Sequence, residues 1–80
     1  MENLQYIIEM MDGVIKDLSV PKNIRKALSD AKEKLLSNDD LKLRVSSAIY
    51  IIESITDDVN IPPHARTQIW SIMSELERIE

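Results

Sequence analysis

Two related segments decide the fold of this chain, Asp17-Leu-Ser-Val-Pro-Lys-Asn-Ile-Arg25 and Asp58-Val-Asn-Ile-Pro-Pro-His-Ala-Arg66. Both read Asp, two residues, a β-branched residue, Pro, two residues, an apolar residue and Arg, and they lie 41 positions apart. Proline cannot continue a helix but suits the start of a new one. Each segment therefore predicts a turn between two helices.

The sequence around these turns repeats with the same offset. Identities are few, but most apolar residues of the first half align with apolar residues of the second, as Val14 does with Ile55. This offset falls within the roughly 40–47 residues of HEAT-type two-helix repeats. We therefore predict repeat units at about residues 2–37 and 40–79, although any bundle of four equal helices gives a similar match.

Apolar residues recur every three or four positions in four segments, which is typical of amphipathic helices. The predicted helices cover residues 2–17, 21–37, 40–56 and 63–79. Leu18 and Leu41 are expected to face inward, and Asn38 or Asp39 is expected to cap the third helix. Gly13 indicates either a closely packed neighbour or a weak point in the first helix.

We therefore predict an all-α fold: one domain, residues 1–80, forming a four-helix bundle made of two HEAT-like helix–turn–helix repeats. The composition agrees, with 44% apolar residues, one Gly and three aromatic residues. No apolar run approaches the roughly 18 residues of a membrane span, so no membrane association is expected. The absence of Cys excludes disulfides and suits the cytoplasm.

The residue types needed for common catalytic sites are largely missing. One His and no Cys exclude multi-His metal sites and Cys–His dyads, and one Gly excludes a Gly-rich phosphate loop. His64 is expected to be a solvent-facing residue of the second turn. We expect no enzyme activity, no cofactor and no metal.

The last predicted helix carries an extra apolar strip beside its core-facing residues. Trp70 and Met73 lie on this strip with Arg66, and the matching positions of the first copy are mostly polar. Because Trp is over-represented at binding hot spots, Trp70 predicts contact with a partner, and filling of the core is the alternative. The leading function is a small non-catalytic protein–protein interaction module, with a homodimer as one form of it.

A second function follows from the only basic surface, which the second helix carries. Lys22, Arg25, Lys26 and Lys32 define this basic face. It predicts an accessory protein that binds nucleic acid or a ribonucleoprotein, which we do not favour because the net charge of the chain is −4. An ordinary solvated helix face is the simpler interpretation.

The strings Val20-Pro-Lys-Asn-Ile-Arg25 and His64-Ala-Arg-Thr-Gln-Ile-Trp-Ser-Ile72 resemble small archaeal proteins of uncharacterised protein family 0147. The resemblance covers nearly the whole chain. It implies a compact four-helix fold in an archaeal cytoplasm and brings no activity, cofactor or partner. The residues that match the family pattern become candidates for a shared surface: Asn23, Arg25, Arg66, Thr67 and Trp70.

Overall fold

Four α-helices make up the computed structural model, which describes the backbone of residues 2–79 and the side chains of residues 4–79. They are α1 (Glu2–Ile15), α2 (Lys22–Leu35), α3 (Leu41–Glu53) and α4 (Pro63–Ile79). Residues 2–79 contain no strand. The predicted all-α four-helix fold is confirmed. The predicted domain also includes Met1 and Glu80, which lie outside the described residues.

The helices close into a ring. Each helix packs against its neighbours in sequence, α1 also packs against α4, and the widest contact joins α2 and α3. Within residues 2–79, no Cα atoms of the diagonal pairs α1/α3 and α2/α4 come within 8 Å of each other. Stacked repeats would bring equivalent helices of successive units together, so the HEAT-like part of the prediction is not confirmed. Two units are too few for a continuous solenoid core, and this chain instead closes on itself.

The core is apolar throughout the side chains that the structure describes, since none of its buried residues is polar or charged. The buried residues on the four helices are Ile7, Ile8, Met11, Val14, Ile24, Ala27, Leu28, Ala31, Leu35, Val45, Ala48, Ile49, Ile52, Ala65, Ile69, Ile72 and Leu76. Val20 and Ile61 add one buried residue from each Pro-containing turn. The turns are therefore fixed to the core by their β-branched residues.

Two residues predicted to face inward are exposed. Leu18 is 82% exposed, because α1 ends at Ile15 and the chain has left the helical phase by position 18. Leu41 is the first residue of α3 and is also exposed. The helical period therefore located the core correctly within the helices but misplaced residues at or beyond a helix end.

The structure also corrects two local predictions. Asp40 caps α3, because its carboxylate accepts a hydrogen bond from the Leu43 N–H at 3.3 Å, so the predicted caps Asn38 and Asp39 are wrong. A Cβ added at Gly13 would meet nothing within 4 Å. The close-packing interpretation of Gly13 is therefore wrong, and this glycine is an exposed weak point of α1.

The two Pro-containing turns have the same internal hydrogen bonds. The Asp17 carboxylate accepts from the Ser19 N–H at 2.9 Å, and the Asp58 carboxylate accepts from the Asn60 N–H at 2.8 Å. Such Asx turns satisfy backbone donors that would otherwise need water. The shared Asp of the two sequence motifs therefore builds the turn.

Side chains also join the two turns at one end of the bundle. The carboxylate of Asp17 accepts from His64 Nε2 at 2.7 Å, and the carboxylate of Asp58 accepts from Asn23 Nδ2 at 3.2 Å. A carboxylate can only accept, so His64 donates here. Asn23 and His64 are themselves 41 positions apart. The two bonds are thus related by the same offset as the two turn sequences.

Candidate functional site

A shallow groove between α1 and α4 is a concave surface lined in part by exposed aromatic side chains. Its volume is about 350 Å³, and its lining residues are Tyr6, Met10, Thr67, Trp70, Ser71, Ser74 and Glu75. Tyr6 is 54% exposed and Trp70 is 60% exposed. Large aromatic side chains that remain exposed together in the folded protein mark candidate binding surfaces. We call this feature the α1–α4 groove.

The register of α4 explains why Trp70 lies outside the core. Ile69 and Ile72 occupy the buried face, and each step along an α-helix rotates the side chain by about 100°. Trp70 follows Ile69 by one step and therefore points away from the bundle interior. Of the two interpretations left open by the sequence, filling of the core is wrong, and Trp70 is a surface residue.

The other partner-binding candidates on α4 separate into different environments. Thr67 lines the α1–α4 groove with Trp70, and its hydroxyl donates to the Pro63 carbonyl at 3.2 Å. Met73 is partly buried and packs against the core, outside the groove lining. The predicted Trp70–Met73 strip is therefore not a single exposed surface.

Arg66 forms hydrogen bonds with the segment that connects α3 to α4. Its Nη1 donates to the Thr56 carbonyl at 2.9 Å, and its Nη2 donates to the Asp58 carbonyl at 2.8 Å. The equivalent Arg25 makes one such bond, from Nε to the Val20 carbonyl at 3.0 Å. Both guanidinium groups thus have structural roles, and neither lines the α1–α4 groove.

Half of the predicted basic face is engaged in ion pairs. Lys32 Nζ lies 2.7 Å from the carboxylate of Asp12 on α1, and Lys26 Nζ lies 3.0 Å from that of Asp30 one turn away. Lys22 is exposed at the first position of α2. The four cations therefore do not form a uniform surface that faces solvent.

The end of the bundle where the turns meet places a serine, a histidine and an aspartate together. The Ser19 hydroxyl donates to Asp17 at 2.6 Å and lies 3.4 Å from His64 Nε2. In a catalytic triad the aspartate holds one ring nitrogen and the serine hydroxyl bonds the other. Here the same nitrogen faces both Asp17 and Ser19. The nitrogen beside the serine is thus the one that donates to Asp17, so it cannot take the serine proton, and this cluster lacks nucleophile geometry.

Hydrogen bonding stabilises the charged form of both turn aspartates. The side chain of Ser19, followed by that of His64 and the Ser19 N–H, lowers the pKa of Asp17 to about 2. The Asn60 N–H, followed by the Asn23 side chain, lowers the pKa of Asp58. Low pKa values of this origin belong to structural carboxylates as well as to functional ones.

Sequence reasoning missed several parts of these sites. Glu75, Ser71 and Ser74 line the α1–α4 groove but carry no motif, so only their helical spacing from Trp70 could have indicated them. The bond between Asp17 and His64 could have been found from the repeat offset, since it mirrors the one between Asn23 and Asp58.

The described residues also limit the alternatives. Among them, no three His, Asp or Glu side chains cluster in a way that could hold a metal ion. No helix within residues 2–79 combines the length and the hydropathy that a membrane crossing needs.

Comparison with known proteins places the chain in a family. The model of the uncharacterised protein family UPF0147 matches residues 1–79. The chain belongs to the UPF0147 family. This confirms the resemblance read from the turn and α4 sequences.

Archaeal UPF0147 proteins match over nearly the whole chain. A relative from Archaeoglobus fulgidus is 44% identical over 98% of this chain and 90% of its own length. One from Methanocaldococcus jannaschii is 46% identical over 99% of this chain and 86% of its own length. These matches cover both turns and all four helices.

Two crystal structures have the same fold. A UPF0147 protein from Thermoplasma acidophilum superposes with a TM-score of 0.92 at 34% identity, covering 99% of this chain and 95% of that chain. A protein of unknown function superposes with a TM-score of 0.93 at 42% identity, covering 98% and 90%. The family has no assigned function, so the function must be argued from the site.

Proposed function

We propose that this UPF0147 protein is a small, non-catalytic interaction module that binds a protein through the α1–α4 groove. The partner is either another protein or a second copy of the chain. The observation that carries the proposal is the pairing of two half-exposed aromatic residues, Tyr6 and Trp70, on one groove. The apolar core packs without them.

The exposed area of Trp70 is large enough to matter for binding. An aromatic side chain has about 150–250 Å² to bury, and about 25 cal/mol is gained per Å² removed from water. Covering the exposed 60% of Trp70 would thus remove roughly 120 Å² from water and contribute about 3 kcal/mol. That value is typical of a binding hot spot. Tyr6 would contribute to the same contact.

The absence of a catalytic role is part of the proposal. The geometry of Ser19, Asp17 and His64 supports it, because the serine hydroxyl donates to the carboxylate instead of the imidazole. A cytoplasmic location belongs to the proposal as well, because a chain without Cys suits a reducing compartment.

Solution mass tests self-association directly. Multi-angle light scattering over a wide concentration range would compare the natural chain with Tyr6→Ala/Trp70→Ala. A dimer that the double change separates, with unaltered helical circular dichroism, would assign the groove to a self-interface. Tyr50→Ala is the matched control, because Tyr50 is 77% exposed on α3 and lies outside the groove lining.

A monomeric chain would move the test to a second protein. The immobilised natural chain, Trp70→Ala and Tyr50→Ala would be incubated with native archaeal extract. A partner lost only with Trp70→Ala supports the proposal. A monomer that retains no protein, or retains the same proteins with both variants, would contradict it.

Binding of nucleic acid or a ribonucleoprotein is the second candidate. Lys22 supports it, since this lysine is exposed beside the first Pro-containing turn. The ion pair of Lys32 with Asp12, which joins two helices and is partly buried, reduces the charge available to phosphates. Phosphate binding would weaken steeply with added salt, which distinguishes it from binding in the α1–α4 groove.

A further inference from the structure

The charge in the described lining of the α1–α4 groove is negative. Among the described side chains that line it, Glu75 is the only charged one, and the others contribute aromatic rings, a thioether and hydroxyl groups. The side chain of Glu75 is 26% exposed. A carboxylate held beside aromatic rings, with no cation in the lining, is suited to a positively charged ligand group.

Glu75 is only weakly neutralised by its neighbour. Arg78 Nη1 lies 3.6 Å from the Glu75 carboxylate, which is longer than a hydrogen bond, and the Arg78 side chain is largely exposed. Exposed ion pairs within one helix are worth little and separate readily. The Glu75 carboxylate therefore keeps the capacity to accept hydrogen bonds from a ligand.

The aromatic rings favour the same kind of ligand. The face of an indole or phenol ring carries partial negative charge, and cations within about 6 Å of the ring centre are attracted to it. Trp binds cations best and most often pairs with Arg. The Thr67 hydroxyl donates its hydrogen to Pro63, so its oxygen is left to accept a further bond from a ligand N–H.

Charge around the groove extends the preference beyond its lining. Two further carboxylates lie on the helices that form the groove; Asp12 of α1 is not among them, because it pairs with Lys32 of α2. Glu9 and Glu77 are exposed on these two helices. An acidic surface raises the rate at which basic partners arrive and disfavours acidic ones.

We infer that the α1–α4 groove binds a cationic side chain, Arg or Lys, presented by a basic segment of a partner protein. The inference rests on the proposed function and specifies the partner. The aliphatic stem of the ligand packs on Met10, its charged head meets Glu75, and Trp70 and Tyr6 cover it. A symmetric dimer through the groove would bring two Glu75 carboxylates together, which disfavours it, so the partner that we infer is a different protein.

Four blocked tripeptides of the form Gly-X-Gly test this assignment, with Arg, Lys, neutral citrulline or Glu at the central position. The chain has a single Trp, so the indole N–H resonance of Trp70 reports on the groove without assignment of other rings. The amide resonance of Ser71 gives a second reading that survives changes at Trp70. The Arg and Lys peptides should shift both resonances saturably. Tighter binding of the Arg peptide than of the Lys peptide would show a preference for guanidinium over other cationic groups.

The charge dependence decides the outcome. Citrulline should bind at least about fivefold more weakly than Arg, and Glu75→Gln should weaken the Arg peptide by about the same factor, which is the size of a cation–π or charge-assisted contact. Glu33→Gln is the matched control, since Glu33 is exposed on α2 outside the groove. Trp70→Ala should abolish saturable shifts at Ser71.

Two results would overturn the inference, and they separate it from the proposed function. Equal binding of the Arg and citrulline peptides would leave the groove as a binding site but remove its preference for cations. No shift with any peptide would reject the cation site, and the solution-mass and extract experiments would then decide the interaction role independently.

Discussion

Arg66 offers the sharpest test of how the chain holds its turns together. Its guanidinium donates to two carbonyls of the segment that follows α3, whereas the equivalent Arg25 donates to one. Hydrogen bonds from a charged donor contribute about 1.5–3 kcal/mol each, and the lower value applies where water can replace the lost donor. Arg66→Gln should therefore cost about 3 kcal/mol of unfolding free energy, and Arg25→Gln about 1.5 kcal/mol.

Urea unfolding followed by far-UV circular dichroism measures both costs. The midpoint should fall further for Arg66→Gln while the slope with urea concentration stays constant, because neither change alters the surface exposed on unfolding. In thermal unfolding, the difference of about 1.5 kcal/mol corresponds to roughly 6–12 °C between the two variants. Equal costs, or a cost below about 0.5 kcal/mol at Arg66, would refute a structural role for its paired bonds.

Three further predictions concern the helix, the turns and the basic face. Gly13→Ala should raise the unfolding free energy by about 0.5–1 kcal/mol, since the added Cβ meets nothing within 4 Å and Ala favours helix. A lower unfolding free energy in urea would contradict this, because it would mean that the added methyl group clashes with a neighbouring residue. The lowered pKa of Asp17, about 2 against 3.8, means that its hydrogen bonds, first with Ser19 and then with His64, stabilise the fold above pH 3.8 and are lost as the pH falls towards 2. Asp17→Asn should flatten that part of the stability–pH curve, and an unchanged curve would contradict the link. RNA and DNA should show no salt-sensitive binding by fluorescence anisotropy; binding that Lys22→Gln/Lys26→Gln weakens would establish the nucleic-acid alternative.

The fold could be predicted because its signals are local. The apolar period identifies each helix face, and Pro21 and Pro62 fix the places where helices restart. The prediction that Leu18 is buried was wrong because this residue lies beyond the end of α1. A turn bond from the Asp17 N–H to the Val14 carbonyl replaces the helical pattern, and Leu18 then points to solvent. Periodicity carries no information past that point.

The candidate site was only partly predictable because it depends on which helices become neighbours. The sequence marks Trp70 as unusual, but whether it is covered depends on the position of α1. Tyr6 reaches the same groove only because α1 packs against α4. Glu75 has no sequence signal of its own and gains meaning from the rings beside it. The surroundings of the basic face were equally hard to predict, since Asp12 on α1 pairs with Lys32 across a helix interface.

The most direct test of a protein-binding α1–α4 groove uses site-specific photo-crosslinking. Because the chain has no Cys, a single photoreactive label can be attached to Ser71→Cys inside the groove or to Ser54→Cys on the exposed surface outside it. In native archaeal extract, we predict a discrete protein adduct from position 71 that Trp70→Ala abolishes, and none from position 54. No adduct at position 71, or the same adducts from both positions, would contradict the account.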